Sequence, residues 1–469
     1  MKGNAYVPFM LSRGFMPNGF YGSPTAGRFV ADAINGSDSL DIITIGDSNA
    51  GYSYGGFGGG GGGWTRGLLR GLNAANAPTY GSPMMPIMSN TTTITTGVVK
   101  EDDGSTIATI AGYFSNICGP TGNLLRGSVS GPAAVTQIAV PASTFIPYGV
   151  TGFNYGWVAA SSSYQTFSQL NGTYPGGSAP SPALPTWNQP GTSLIYRVTY
   201  ARTNTSGGSI NPTIYKVTSG TYTALATTSA STYNASGTDI QNKDLAFTMP
   251  STSPASAIFF GWAYIGYANG PAGALFDSVY KATKGVSVHN LHYGSGETST
   301  TIANVVNTST GTNGTFLENY FTQIVSRQVA AGGSGRVAVW FNAGINGGGD
   351  TGSTWTTNAG TIIAKMQQAW ANAGYAANNL VFVCSVTHPL DTDYGGTTES
   401  NLAGSRTAAN LWAKTYSNTT VVDLSQLYTA AQMTSAGYYS GTTTNEAHLS
   451  QAGYYAFGQS IINNLARCR

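Results

Sequence analysis

The spacing of apolar positions changes character twice along the chain. Leu40–Ile45 is a short apolar run and predicts a buried strand. A glycine-rich loop follows at 54–64, "YGGFGGGGGGW", and then "WTRGLLRGLNAA", whose apolar spacing predicts a helix despite its glycines. From about 80 to 284 the pattern becomes alternating and aromatic. "TSLIYRVTYART", "SINPTIYKVTSG", "TYTALATTS", "KDLAFTMP" and "AIFFGWAYIGYA" are separated by Gly, Ser, Asn and Pro. Such runs predict antiparallel strands in a sandwich or jelly roll. From 285 onward apolar strands alternate with helices: strands over 285–293, 336–344, 379–389 and 419–427, and helices over 315–331, 358–374, 402–418 and 449–466. Short, fully apolar strands between helices predict a parallel, doubly wound sheet. The unit at 40–78 supplies its missing first strand. The expected organisation is an irregular N-terminal arm (1–39, with Pro8, Pro17 and Pro24), an α/β domain in two parts (40–79 and 285–469) and an inserted antiparallel β-sandwich, jelly-roll-like, at 80–284.

Composition sharpens this picture. With 469 residues and 41% hydrophobic content the chain can bury large cores. Charged residues are 8%, against about 25% in ordinary domains. Gly, Ser, Thr and Asn take the surface, which suits an extracellular or particle-associated protein. The net charge of +2 has no Lys/Arg run behind it, which argues against nucleic-acid binding. No stretch of eighteen apolar residues predicts a membrane span, and no signal peptide is apparent. Cys118, Cys384 and Cys468 are too few and too scattered for a disulfide framework or zinc site. Cys384, in "LVFVCSV", reads as a buried small hydrophobe. No cofactor or metal is predicted.

Candidate chemistry falls at the carboxyl ends of the predicted strands, where α/β sheets bind ligands. Ser48 follows the first strand in "GDSN". Gly296 follows the second in "YGSGET", and Asn346 the third in "NAGING". His448 precedes the last helix in "NEAHLSQAG". Singly, each could be a turn, loop or surface residue. The remaining histidines read as structural: His289 and His292, three apart on a strand, face opposite sides and argue against a joint metal site, and His388 reads as a loop residue. One of the first two could line a cleft. Asp350, Asp391 and Asp393 read as surface residues able to touch substrate. Tyr196, Tyr200, Tyr215, Tyr222, Trp262 and Tyr264 read as sandwich core, with a minority available to stack on sugar.

These four blocks, in this order, resemble the SGNH hydrolases, the GDSL-type esterase family. "IITIGDSN" is similar to the nucleophile block, "VHNLHYGSGET" to the block with the oxyanion-hole glycine, "GIN" to the Gly-x-Asn block and "NEAHLSQAGYYAFG" to the final Asp-x-x-His block. The resemblance covers about 40–78 and 285–466, and the β-rich block has no counterpart in it. It implies a flavodoxin-like parallel sheet and acyl transfer from an ester. Ser48 would be the nucleophile and His448 its base. The N–H groups of Ser48 and Gly296 and the Asn346 amide would form the oxyanion hole. The family's aspartate is here Asn445. His448 is then oriented by that amide, by a backbone carbonyl in a Ser–His dyad, by the neighbouring Glu446 or by Asp423, or the activity is reduced. The low-charge surface resembles phage tail and spike proteins. The expected function is O-deacetylation of a polysaccharide, with an acetylated glycan or other ester as substrate and a homo-oligomer or virion proteins as partners. A small-ester esterase or lipase, and a non-catalytic structural or receptor-binding virion subunit, are the alternatives. The expected location is extracellular or virion-associated.

Overall fold

The computed structural model describes residues 16–47, 49, 63–81, 84–86, 191–202, 209–218, 221–231, 233–236, 239–248, 260–268, 273–291, 298–302, 306, 312–346, 350, 352–439 and 448–468, with the backbone of short strands between 97 and 171. Cys118 and His292 lie outside the described residues.

Five parallel strands carry the α/β sheet: β2 (Leu40–Gly46), β3 (Val286–Asn290), β4 (Val337–Ala343), β5 (Leu380–Val386) and β6 (Thr419–Val422). Their spatial order is β3-β2-β4-β5-β6, with β1 (Phe20–Gly22) added antiparallel at the far edge. Among the parallel strands this is the 2-1-3-4-5 order of doubly wound sheets of the flavodoxin kind. Strands β2 and β4, far apart in sequence, pair directly from Asp41–Val337 to Gly46–Asn342.

Strand alternation explains why both faces are apolar. Ile43, Ile45, Val339, Phe341, Phe382 and Cys384 point to one face. There they meet α3 (Thr312–Ala330), α4 (Gly352–Asn372) and α5 (Glu399–Trp412). Ile42, Val288, Ala338, Trp340, Val381 and Val383 point to the other, under α1 (Thr25–Ile34), α2 (Gly63–Ala74), α6 (Ala430–Ala436) and α7 (Gln451–Leu465). Cys384 is buried as a hydrophobe, and burial pushes its thiol well up.

The N-terminal segment corrects the sequence reading. From residue 16 it is not an irregular arm: β1 pairs with β6, and α1 packs on the sheet through Ala26, Phe29, Val30 and Ala33. These positions keep helical spacing, but Pro24 and the surrounding glycines masked it. Helix α4 also begins six residues before its apolar run, and α6 was not predicted.

The β-rich block forms separate antiparallel sheets. One orders Thr221–Thr227, Ser209–Thr218, Phe260–Ala268, Gln165–Asn171, Arg126–Ser128 and Tyr113–Ser115, with Ala230–Ser231 beside Ser209–Thr218. A second orders Asp239–Thr248, Ser193–Arg202, Gly273–Tyr280 and Met85–Pro86, and two more are two-stranded. This second sheet docks on α3: Arg197 donates to Ser326 Oγ at 3.2 Å and Asn242 to Gln323 Oε1 at 2.7 Å. Tyr196 and Tyr200 are core residues, as expected. The side chains of Tyr215, Tyr222, Trp262 and Tyr264 lie outside the described ones.

Candidate active site

The switch point of a 2-1-3-4-5 sheet lies between its first and third strands in sequence, where the crossovers leave in opposite directions. Here that is the gap between β2 and β4. β2 ends on a glycine and β4 is followed by one, both in the left-handed range: Gly46 at φ 129° and Gly344 at φ 128°. A side chain at Gly46 would overlap the Asn342 carbonyl, so only glycine allows the two chains to part so closely. The two turns that follow carry Asp47 and Asn49 on one side and Ile345 and Asn346 on the other.

Asp47 and Asn49 are fully buried. The Asn49 N–H donates to Asp47 Oδ1 at 2.9 Å, an Asx turn spanning position 48. The Asp47 N–H donates to the Asn342 carbonyl at 3.3 Å. Burial pushes the Asp47 carboxyl up to about 6, against the backbone N–H groups of Asn49, Ile345 and Gly344, which favour its charged form. Asn49 Oδ1 accepts from the Tyr454 hydroxyl at 2.6 Å. Tyr454 stands in the first turn of α7, whose N-cap Ser450 follows two residues after His448.

His448 is 8% exposed, and burial lowers its pKa below the usual 6.5. Its imidazole is therefore the free base at neutral pH, able to take a proton. Asn346 is half-buried in the loop after β4. Ser48, Gly296 and Asn445 lie outside the described residues, as does Glu446. Of the five residues singled out from sequence, Asn346 and His448 can thus be located, one on each loop tied to the 47–49 turn. Asp423 is engaged elsewhere: its Oδ1 accepts from Ser425 Oγ at 2.6 Å and its Oδ2 from Asn410 at 2.9 Å.

One reading changes, and the histidines keep theirs, His388 in a loop and His289 structural. Asp350 is buried, not at the surface, and its Oδ2 accepts the Thr298 N–H at 3.2 Å. It thereby ties the loop beyond Asn346 to the segment beyond Gly296. His388 is fully buried, with its ring 6.0 Å from that of Tyr439. His289 is structural: its Nδ1 accepts the Met84 N–H at 2.9 Å, so Nε2 carries the hydrogen and donates to Asp41 Oδ1 at 2.7 Å. Asp47, Asn49 and Tyr454 were missed. The tripeptide "GDS" marked a turn, but nothing in the sequence says that Tyr454 reaches it. Asp391 and Asp393 are exposed, as read. Among the described residues no group of three or more His, Cys, Asp or Glu could hold a metal, and no helix is long and apolar enough to cross a membrane.

No family model and no curated protein matches the chain. Solved structures similar to it include a peptidoglycan O-acetylesterase, at 11% identity and a TM-score of 0.47, covering 94% of this chain and 95% of that one. A family two carbohydrate esterase from Clostridium thermocellum, in complex with cellohexaose, is similar at 11% identity and a TM-score of 0.26, covering 66% and 93%. A CBM4 structure is similar at 14% identity and a TM-score of 0.16, covering 28% and 77%. At these identities and TM-scores none of them defines what this chain does.

Proposed function

We propose that the chain is a serine carboxylester hydrolase of the SGNH type, acting as an O-deacetylase on a polysaccharide. The supporting observation is the switch point. There Asp47 and Asn49, which flank Ser48 in sequence, follow the strand that pairs with the one leading to Asn346, and Asn49 is bonded by Tyr454 on the helix that follows a buried His448.

In this reading Ser48 Oγ attacks the ester carbonyl and His448 takes its proton. The oxyanion of the tetrahedral intermediate is met by the Asn346 side-chain amide and the N–H groups of Ser48 and Gly296. Collapse expels the sugar hydroxyl, protonated by His448. Water activated by the same imidazole then releases acetate and restores Ser48. The Asn445 position brings no charge, so we assign His448 a backbone carbonyl as its orienting acceptor, giving a Ser–His dyad. The inserted β structure is read as a jelly-roll-like sandwich beside the catalytic domain, and the low-charge surface suits a virion or extracellular setting. Acetate release from acetylated glycans, compared with turnover of longer acyl esters, tests the substrate class. A preference for long acyl chains would favour a lipase instead.

A further inference from the structure

The groups beside the nucleophile turn carry a role that the Ser–His chemistry leaves unassigned. Asp47 is a fully buried carboxylate one residue from Ser48. It has two distinct environments. Oδ1 accepts the Asn49 N–H across position 48. Oδ2 is buried with no hydrogen bond of ordinary geometry to any described residue. The N–H groups of Gly344 and Ile345, immediately before Asn346, face the carboxylate and favour its charge. A buried anion is costly unless donors surround it. Here those donors are the Asn49 backbone and side-chain N–H groups on one turn and the Gly344 and Ile345 backbone N–H groups on the other.

We propose that the Asp47 carboxylate is a positioning residue that holds the Ser48 turn against the Asn346 loop, so that nucleophile and oxyanion donor keep their mutual geometry. This rests on the esterase reading of Ser48 and Asn346. Removing the charge loosens the pairing, because a neutral carboxyl or amide attracts the Gly344 and Ile345 N–H groups less. In Asp47→Asn, an amide N–H turned toward them would even oppose donor to donor. Activity should then require ionised Asp47, present above about pH 6 and lost as pH falls through that value. The titratable groups around it are the Tyr454 phenol on α7, pushed up by burial and by the Asp47 charge, and His448 on the loop leading into that helix. From the Asn346 loop, the backbone N–H groups of Gly344 and Ile345 face it.

Stability moves the other way. The folded value lies above 3.8, so the native state favours the protonated Asp47 carboxyl. That contribution is full below 3.8 and is lost as pH rises through about 6. Asp47→Asn should therefore melt no lower than wild type at pH 8. Its kcat on p-nitrophenyl acetate should fall roughly 10- to 100-fold with KM little changed. The acid limb of its pH profile should shift to lower pH, leaving the His448 titration alone. In wild type the midpoint of that limb should stay fixed with temperature, because carboxylates ionise with almost no enthalpy and imidazoles do not. This second measurement needs no variant, so a misfolded Asp47→Asn still leaves the proposal exposed. A wild-type kcat and profile in Asp47→Asn, a change in KM alone, or a limb that moves with temperature as imidazole does would overturn the role while the Ser48 assignment stands. Full turnover in Ser48→Ala would instead remove the esterase reading and this role with it.

Discussion

At the scale of single residues, the unusual position is Asn445. In the proposed esterase reading a carboxylate there would stabilise the imidazolium of His448, and an amide would not. With a backbone carbonyl holding the imidazole, Asn445→Ala should leave kcat within about 3-fold of wild type, far from the roughly 10⁴-fold cost known for a lost triad charge. A large loss in Asn445→Ala together with a gain in Asn445→Asp would show that position 445 is the working third member. Sequence could nominate Ser48 and Asn346 because each sits in a short block at a strand end, which follows from the apolar pattern, and His448 because its block leads into the last helix. It could not point to Asn49 or Tyr454, whose bond joins positions 405 apart in the chain. It misread Asp350 because loop position says nothing of burial. The raised Asp47 carboxyl has the same origin: desolvation is a property of the packed site and leaves no mark in the tripeptide.

At the scale of elements, the helix pair α2 and α7 holds the turn in place. They cross at glycines: a Cβ at Gly458 would strike the Gly67 backbone carbonyl, and a Cβ at Gly67 would strike the Tyr454 carbonyl. Trp64 fills the sheet side, with its ring 5.2 Å from Trp340 and 5.5 Å from Tyr454. Gly458→Ala should force the helices apart and cost about 1–3 kcal/mol by overpacking. Urea unfolding measures it, and activity should fall with it, since Tyr454 would leave Asn49. A variant as stable and active as wild type would show that the crossing tolerates separation. Glycines inside helices, as in "WTRGLLRGLNAA" and "QAGYYAFGQS", ordinarily weaken them. Here they are contact points, and only the partner helix makes that visible. Helix α1 was hidden for a related reason: its apolar stripe is short, and the β6 strand that its segment joins is distant in sequence.

At the scale of the whole molecule, a buried polar cluster joins the sheet to the chain that leads into the β-rich block. Asp41 Oδ1 accepts from His289 at 2.7 Å and from Arg327 at 3.0 Å, and the Tyr80 hydroxyl donates to Asp41 at 2.9 Å. Gln328 donates to the second oxygen. The Asp41 carboxyl is held below 3.8 by His289 and Arg327 against the desolvation that opposes it. Asp41→Asn would leave Arg327 buried beside a neutral partner and should cost about 3–5 kcal/mol. Burial lowers the pKa of His289, so the unfolded chain binds its proton first. Stability from this group is full above 6.5 and declines as pH falls below it. Melting temperatures of wild type and Asp41→Asn between acid and neutral pH check both; an unchanged melting temperature in Asp41→Asn would contradict the clamp. The parallel sheet and the β-rich block were legible because their apolar periods differ. The clamp was not, because Asp41 and His289 sit inside strands recognised by their apolar members, and nothing in either strand marks their pairing. The central claim, that the fold carries a serine esterase at its switch point, meets its most direct test in Ser48→Ala. With p-nitrophenyl acetate and a fluorophosphonate probe, wild type should turn over and carry one adduct, at Ser48. Ser48→Ala should melt as wild type does, with neither turnover nor label. Undiminished turnover in Ser48→Ala, or an adduct on another residue, would contradict it.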